Sequence, residues 1–172
     1  SLQKGRLVHR MLQILPDLPA QERPQAARRY AERAARFWPP EPRENLIDCV
    51  LSILAHPQLQ PVFSGHGQAE VSVMGTLRLD GSDYAISGRL DRMALSDSEV
   101  TIIDYKTNRS PPAHEGEVPL AHRAQLALYR EILRPLYPDH DFRCVLAYTE
   151  TGNVISLSHE IMDRSLAELR TK

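Results

Sequence analysis

The chain has 172 residues, of which 42% are hydrophobic and 25% are charged. This length is enough for one domain with a full hydrophobic core, and the composition is that of an ordinary globular protein. No apolar run is long enough to span a membrane, and no secretory leader precedes the first element. The formal net charge of −1 argues against tight nucleic-acid binding by bulk charge, although a local basic stripe stays open. Because the chain starts at a serine, we expect a domain excised from a larger protein, forming one domain over residues 1–172.

The two cysteines, Cys49 and Cys144, are far apart in the sequence and neither belongs to a CxxC pair. This spacing predicts neither a zinc site nor an iron–sulfur cluster. Reduced thiols are the simple expectation, and they favour a cytoplasmic protein.

The first third of the chain has the periodicity of three helices, over residues 5–15, 21–38 and 41–55. His9 follows Gly5 by one helical turn, so the missing side chain at Gly5 leaves room beside the imidazole. From these residues alone, a surface histidine is the ordinary interpretation. Arg29, Arg33 and Arg36 share one face of the second helix, which predicts a solvated face or, as the alternative, a stripe that follows phosphates.

The remaining elements alternate between strands and helices. After a loop over residues 57–67, we expect strands at 69–79, 142–148 and 154–157, and helices at 120–137 and 160–169. Glu70 in the first of these strands could point toward the candidate site. A Pro- and Gly-containing loop over residues 109–119 could flex beside that site. Gln125 and Tyr129 share an apolar face of the 120–137 helix, so the amide of Gln125 needs a partner, either structural or in a substrate.

The chain is organised around a hairpin over residues 88–108. Its polar turn, Ser96-Asp97-Ser98-Glu99, separates two runs of β-type residues. A turn centred between Asp97 and Ser98 pairs Leu95 with Val100, and the same ladder sets Asp91 opposite Asp104. Facing Cβ atoms lie about 4.5–5.5 Å apart, where like charges repel.

Two carboxylates in this position are retained when they share a proton or hold a cation. Lys106 projects from the same strand face as Asp104. The alternative is a solvated hairpin face, because Asp-x-Lys is a common tripeptide. Two features favour a site instead: Asp104 ends an apolar run, and Arg89 and Arg92 flank Asp91.

Four short motifs occur in order and together resemble the RecB-like branch of the PD-(D/E)XK nucleases. The resemblance is greatest to the C-terminal nuclease domain of AddA-type and RecB-type helicase–nucleases, and it covers the chain from Gly5 to about Tyr148. The motifs are Gly5-x-x-x-His9, Gly88-Arg89-Leu90-Asp91-Arg92, Ile103-Asp104-Tyr105-Lys106-Thr107 and Gln125-x-x-x-Tyr129.

The resemblance implies a role for each matched position. The divalent metal would be held by three side chains and one backbone carbonyl, those of His9, Asp91, Asp104 and Tyr105. Lys106 would be the motif lysine, and Gln125 and Tyr129 would support the site or the DNA strand. The AddB-type sister family carries a four-cysteine iron–sulfur cluster, for which this chain has too few cysteines. Asn108 departs from the family pattern, where a Gly is common.

The resemblance therefore implies an α/β, restriction-endonuclease-like fold, with a mixed central sheet of about five strands flanked by helices. It implies a Mg²⁺- or Mn²⁺-dependent DNA nuclease of exonuclease type, acting in double-strand break repair and recombination. Its partners would be DNA, a helicase domain in the same parent chain and a second helicase–nuclease subunit, without a membrane. One rival interpretation is a non-catalytic, nuclease-like module that binds DNA or a partner. A second rival is a free-standing phage-type exonuclease of the same fold.

Overall fold

The computed structural model describes residues 2–170, and they form five helices and five main strands. The N-terminal helices are α1 (Leu2–Ile14), α2 (Arg23–Ala34) and α3 (Pro40–Leu54). The strands β1 (Gly67–Leu79), β2 (Ser82–Leu95) and β3 (Glu99–Lys106) follow. The helix α4 (Leu120–Leu133) precedes β4 (Asp141–Tyr148) and β5 (Asn153–Leu157), and α5 (His159–Arg170) closes the described part.

The strands form one mixed sheet in the order β1-β2-β3-β4-β5. β2 and β3 are antiparallel. Between β3 and β4, Asp141 N donates to Ser98 O, and Thr149 N donates to Lys106 O beyond the end of β4. Both bonds join residues separated by the same number of positions, so β3 and β4 run parallel. The predicted α/β fold with a mixed five-stranded sheet flanked by helices is confirmed.

Two compact units can be distinguished along the chain. The first contains the described residues up to Gly67, with Tyr105–Pro111 and Ala147–Val154. The second contains Gln68–Asp104, Pro112–Leu146 and the described residues from Ile155 onward. The chain enters each unit more than once, and the assignment of residues 1–172 to one functional domain stays a prediction.

In the first unit, the core is made by the apolar faces of the three N-terminal helices. Pro16 ends the α1 region, and Pro39 stands before α3, where its fixed φ suits the start of a helix. The fully buried side chains of this core include Met11, Leu12, Leu46 and Ile53. The helix pattern read from the sequence therefore corresponds to three helices that pack on one another.

In the second unit, α4 and α5 pack together and bury an arginine. Arg130 is fully buried, contacts the imidazole of His159 at 3.0 Å, and pairs with Asp163 of α5 and with Glu131. A buried cation is tolerated when carboxylates and acceptors surround it. These contacts fix α5 along α4.

Several element boundaries differ from the sequence prediction. A short 3-10 turn (Ala20–Glu22) precedes α2, and α2 ends at Ala34 rather than near Trp38. A 3-10 helix (Pro57–Val62) replaces the predicted loop, and α4 ends in a 3-10 turn (Arg134–Leu136). Prolines and weak capping signals mark each of these places, where the α and 3-10 geometries compete.

Candidate nuclease site

The hairpin turn between β2 and β3 fixes the register that the candidate site needs. Ser96 N donates to Glu99 O at 2.9 Å, and Ser96 Oγ accepts from Glu99 N at 3.0 Å. His140 Nε2 also lies 3.0 Å from Ser96 O. These bonds close the turn around Asp97 and Ser98, as the sequence predicts.

The observed pairing confirms the predicted register of the hairpin. Leu95 pairs with Val100, and the ladder continues to Arg92 with Ile103. Extended by one more pair, this register sets Asp91 opposite Asp104, since both residues lie within their strands. Both residues are half-buried, and one carboxylate oxygen of Asp104, Oδ2, is fully buried. Two carboxylates at this spacing repel each other unless a proton or cation is shared.

Tyr129 of α4 lies against Gly88, three residues before Asp91. A Cβ on Gly88 would be 2.2 Å from the Tyr129 hydroxyl oxygen, so only glycine fits at this position. Gln125 Nε2 donates to the same hydroxyl at 3.3 Å. The partner that Gln125 requires is therefore Tyr129, and the two side chains act as one packed group on α4.

Glu70 does not stand alone in β1. Its carboxylate lies 3.3 Å from Arg89 Nη1, and Arg89 precedes Asp91 by two residues on β2. Glu70 has a φ of 56°, a left-handed conformation that is uncommon for a residue with a side chain. Arg89 is thus the contact that holds Glu70 beside β2, and the sequence interpretation did not foresee this pairing.

In the first unit, His9 contacts the ring of Tyr105. The two ring centroids are 5.7 Å apart and the planes are nearly perpendicular, at 86°. This edge-on contact positions the half-buried His9 side chain on α1 beside the backbone of β3. His9 and Tyr105, two of the four predicted metal-ligating residues, are therefore brought together.

Gly5 differs from what the sequence predicts. A Cβ on Gly5 would meet Thr107 Cγ2 at 3.5 Å, which is an ordinary contact. The space at Gly5 faces Thr107 and would accept an alanine.

The backbone at the end of β3 is anchored by a residue that the sequence interpretation missed. The Lys106 carbonyl accepts hydrogen bonds from Thr149 N at 2.9 Å and from Thr149 Oγ1 at 3.3 Å. Thr149 is almost fully buried. Lys106 is the last residue of β3 and is half-buried, so the anchor fixes the backbone that presents its side chain. The only sequence signal for Thr149 is its place directly after the apolar run of β4.

The donor set in the hairpin suits a hard divalent cation. Carboxylate oxygens facing each other across two strands are the ligands that Mg²⁺ and Mn²⁺ prefer. Among the described residues, no group of three or more His, Cys, Asp or Glu side chains is arranged to hold a metal ion. The pair Asp91 and Asp104 therefore fits the expected cation as a partial ligand set. The ligand roles of His9 and of the Tyr105 carbonyl stay predictions.

The match to known families covers almost the whole chain. The sequence pattern of the PD-(D/E)XK nuclease superfamily matches residues 1–168. The chain belongs to this superfamily, as the ordered motifs predict.

Two curated proteins are similar over part of the chain. Each is described as the A-type subunit of an ATP-dependent helicase/nuclease, one from Lacticaseibacillus casei and one from Lacticaseibacillus paracasei. Each is 32% identical over 77 residues, which are 45% of this chain and 6% of the relative. The matched segment thus spans only a small part of each relative's length.

A solved structure described as the crystal structure of SSO0001 aligns with 95% of this chain and 73% of its own, at 19% identity and a TM-score of 0.39. Within residues 2–170, none of the helices has the length and apolar character needed to cross a bilayer.

Proposed function

We propose that the chain is a divalent-metal-dependent DNA nuclease that hydrolyses phosphodiester bonds in an exonuclease manner. The observation that carries this proposal is the β2–β3 register, which extends to Asp91 opposite Asp104. Lys106 follows Asp104 by two positions on the same strand, and the superfamily match supports the assignment of the three residues to one motif.

Each residue of the motif has a distinct proposed role. Asp91 and Asp104 hold Mg²⁺ or Mn²⁺, with His9 and the Tyr105 carbonyl as further ligands. When bound, such a cation neutralises charge on the phosphate and lowers the pKa of a bound water. Lys106 has no lone pair to give while it is protonated, so it stabilises charge on the scissile phosphate or orients water. Gln125 and Tyr129 keep β2 in place and support the DNA strand.

The biological setting is also a proposal. The similarity to the two helicase/nuclease relatives supports a nuclease domain joined to a helicase in a longer chain, working with a second subunit in double-strand break repair and recombination. The net charge of −1 agrees with a nuclease that receives DNA from an attached motor. Its expected location is the cytoplasm, in agreement with two free, buried cysteines.

The test compares three purified proteins on end-labelled single- and double-stranded DNA across a Mg²⁺ and Mn²⁺ titration. Wild type should degrade DNA. Lys106→Ala should keep its fold and its metal binding but lose about 10²–10³-fold in rate, as expected for one preorganised charge-stabilising group. His9→Ala should weaken metal affinity first and regain part of its activity at high Mn²⁺.

The rival function, a non-catalytic module that binds DNA or a partner, makes a different prediction. Wild type and both variants would then show no cleavage at any metal concentration. Equal degradation by all three proteins would point to a contaminating nuclease, and the proposed function would be rejected.

A further inference from the structure

A groove in the first unit lies between the end of α1 and one face of α2. Its volume is about 420 Å³, within the range of sites that hold small molecules. Apolar side chains form its walls, and a tyrosine and two arginines complete it. The residues that matter here are Ile14, Leu15, Leu18, Arg29, Tyr30 and Arg33.

The arginines of α2 divide into those that hold the fold and those that do not. Arg23 donates to the carbonyls of Leu18, Pro16 and Phe63, and Arg28 pairs with Glu44 at 3.5 Å. Arg29 and Arg33 are exposed at the groove, and within residues 2–170 neither forms an ion pair. Two cations left over by the fold, one helical turn apart, give the rim of the groove a positive charge.

A second exposed aromatic group follows directly after α2. The structure ends α2 at Ala34, so Arg36 lies in the following turn and not on the helical stripe that the sequence predicts. Its guanidinium stacks on the ring of Phe37, 4.4 Å from the ring centroid. Phe37 is 85% exposed, which is unusual for so large an apolar ring. This pair forms a flat platform with a positive charge on one side.

We propose that this groove and platform bind single-stranded DNA. One base enters the groove against Tyr30 and the apolar wall, the flanking phosphates contact Arg29 and Arg33, and a neighbouring base stacks on Phe37. Basic residues that alternate with aromatic rings are the general means by which proteins bind single strands without reading sequence. An acidic peptide would also meet the arginines, but it offers no flat rings for both Tyr30 and Phe37. The proposal rests on the proposed nuclease function and adds a strand-holding surface built from α2.

The test measures binding of a fluorescent oligothymidylate to the whole chain in EDTA, where metal-dependent cleavage is absent. Arg29→Gln/Arg33→Gln should weaken binding and lower the magnitude of the salt-dependence slope by about 1.4, since each lost phosphate contact on a single strand contributes about 0.7. The matched control is Arg78→Gln/Arg164→Gln, which removes the same charge from exposed arginines of the second unit and should leave the slope unchanged.

Two variants at one position separate stacking from folding. Tyr30→Phe keeps the ring and should keep the affinity. Tyr30→Leu keeps the apolar packing but removes the ring, and it should weaken binding about 5- to 100-fold, as expected for one lost base–aromatic stack. Thermal melting checks that each variant is folded. Phe37→Ala, at an exposed position, should weaken binding without changing the melting temperature.

The outcomes distinguish this proposal from the proposed nuclease function. Cleavage by wild type with Mg²⁺, together with unchanged DNA binding by the groove variants, would overturn the groove alone and favour a peptide as its occupant. Salt-dependent binding that the groove variants reduce, without cleavage in any metal, would support the groove and reject the nuclease. Absence of measurable strand binding by wild type would overturn the groove proposal.

Discussion

Two glycines at matched positions in the motifs should respond in opposite ways to the same substitution. In Gly88→Ala, the new Cβ would stand 2.2 Å from the Tyr129 hydroxyl and 2.7 and 2.8 Å from two ring carbons, Cε1 and Cζ. Distances this short force the tyrosine or the strand to move. Overpacking of this kind costs about 1–3 kcal/mol.

Gly5→Ala is the control. Its Cβ would lie 3.5 Å from the nearest heavy atom, and Gly5 is inside α1, where alanine is favoured over glycine by about 0.5–1 kcal/mol. For a domain of this size, 1 kcal/mol corresponds to about 2–4 °C in melting temperature. Gly88→Ala should therefore lower the melting temperature by roughly 2–12 °C, and Gly5→Ala should raise it by about 1–4 °C.

A double-mutant cycle identifies the cause. If the clash is with the tyrosine ring, Gly88→Ala should cost much less in a Tyr129→Ala background, which removes the ring that the new Cβ meets. Tyr129→Phe should recover only part of the loss, because the two ring carbons stay close. Additive effects in chemical denaturation, or a Gly88→Ala variant as stable as wild type, would refute the proposed packing of Tyr129 on Gly88.

Three further predictions concern metal and pH. Mg²⁺ or Mn²⁺ should raise the melting temperature and Asp91→Asn should blunt this rise, because the variant removes both a ligand and the repulsion with Asp104; a wild-type curve indifferent to metal would reject a preformed site. Ca²⁺, which tolerates longer bonds, should inhibit Mg²⁺-dependent cleavage competitively in a rate assay, and cleavage in Ca²⁺ as fast as in Mg²⁺ would contradict this. Burial raises the pKa of Cys144 to about 12, so between about pH 9 and 12 only the unfolded chain loses the thiol proton, and stability should fall as pH rises. Urea titrations of Cys144→Val should show a weaker fall over the same pH range.

The hairpin was the part of the fold most accessible from sequence. Its register depends on local features, namely the turn Ser96–Glu99 and the alternation of side chains on two strands, and both act within a few residues. The helices were likewise visible in the spacing of apolar residues. Their ends were less so, since prolines near α2 and α4 permit both α and 3-10 geometry.

Features that depend on contacts far apart in the sequence were missed. The pairing of Glu70 with Arg89 and the bond of Thr149 to the Lys106 carbonyl become visible only once the strands are aligned. The β1–β2 turn is a different case. Asp80 and Gly81 both have positive φ, of 51° and 81°, which is the geometry an Asp-Gly hairpin turn adopts, and this local signal was overlooked.

The anchor at Thr149 has a consequence for when the candidate site forms during folding. The β2–β3 hairpin closes through neighbours in the sequence and can form early. The end of β3 at Lys106 is secured by a residue 43 positions later, beyond α4 and β4. Closing so long a loop carries an entropic cost that local pairing does not have. On a ribosome, the carboxylate pair can therefore be assembled while the strand end that carries the lysine is still unanchored, and the site matures only after β4 has been synthesised and paired.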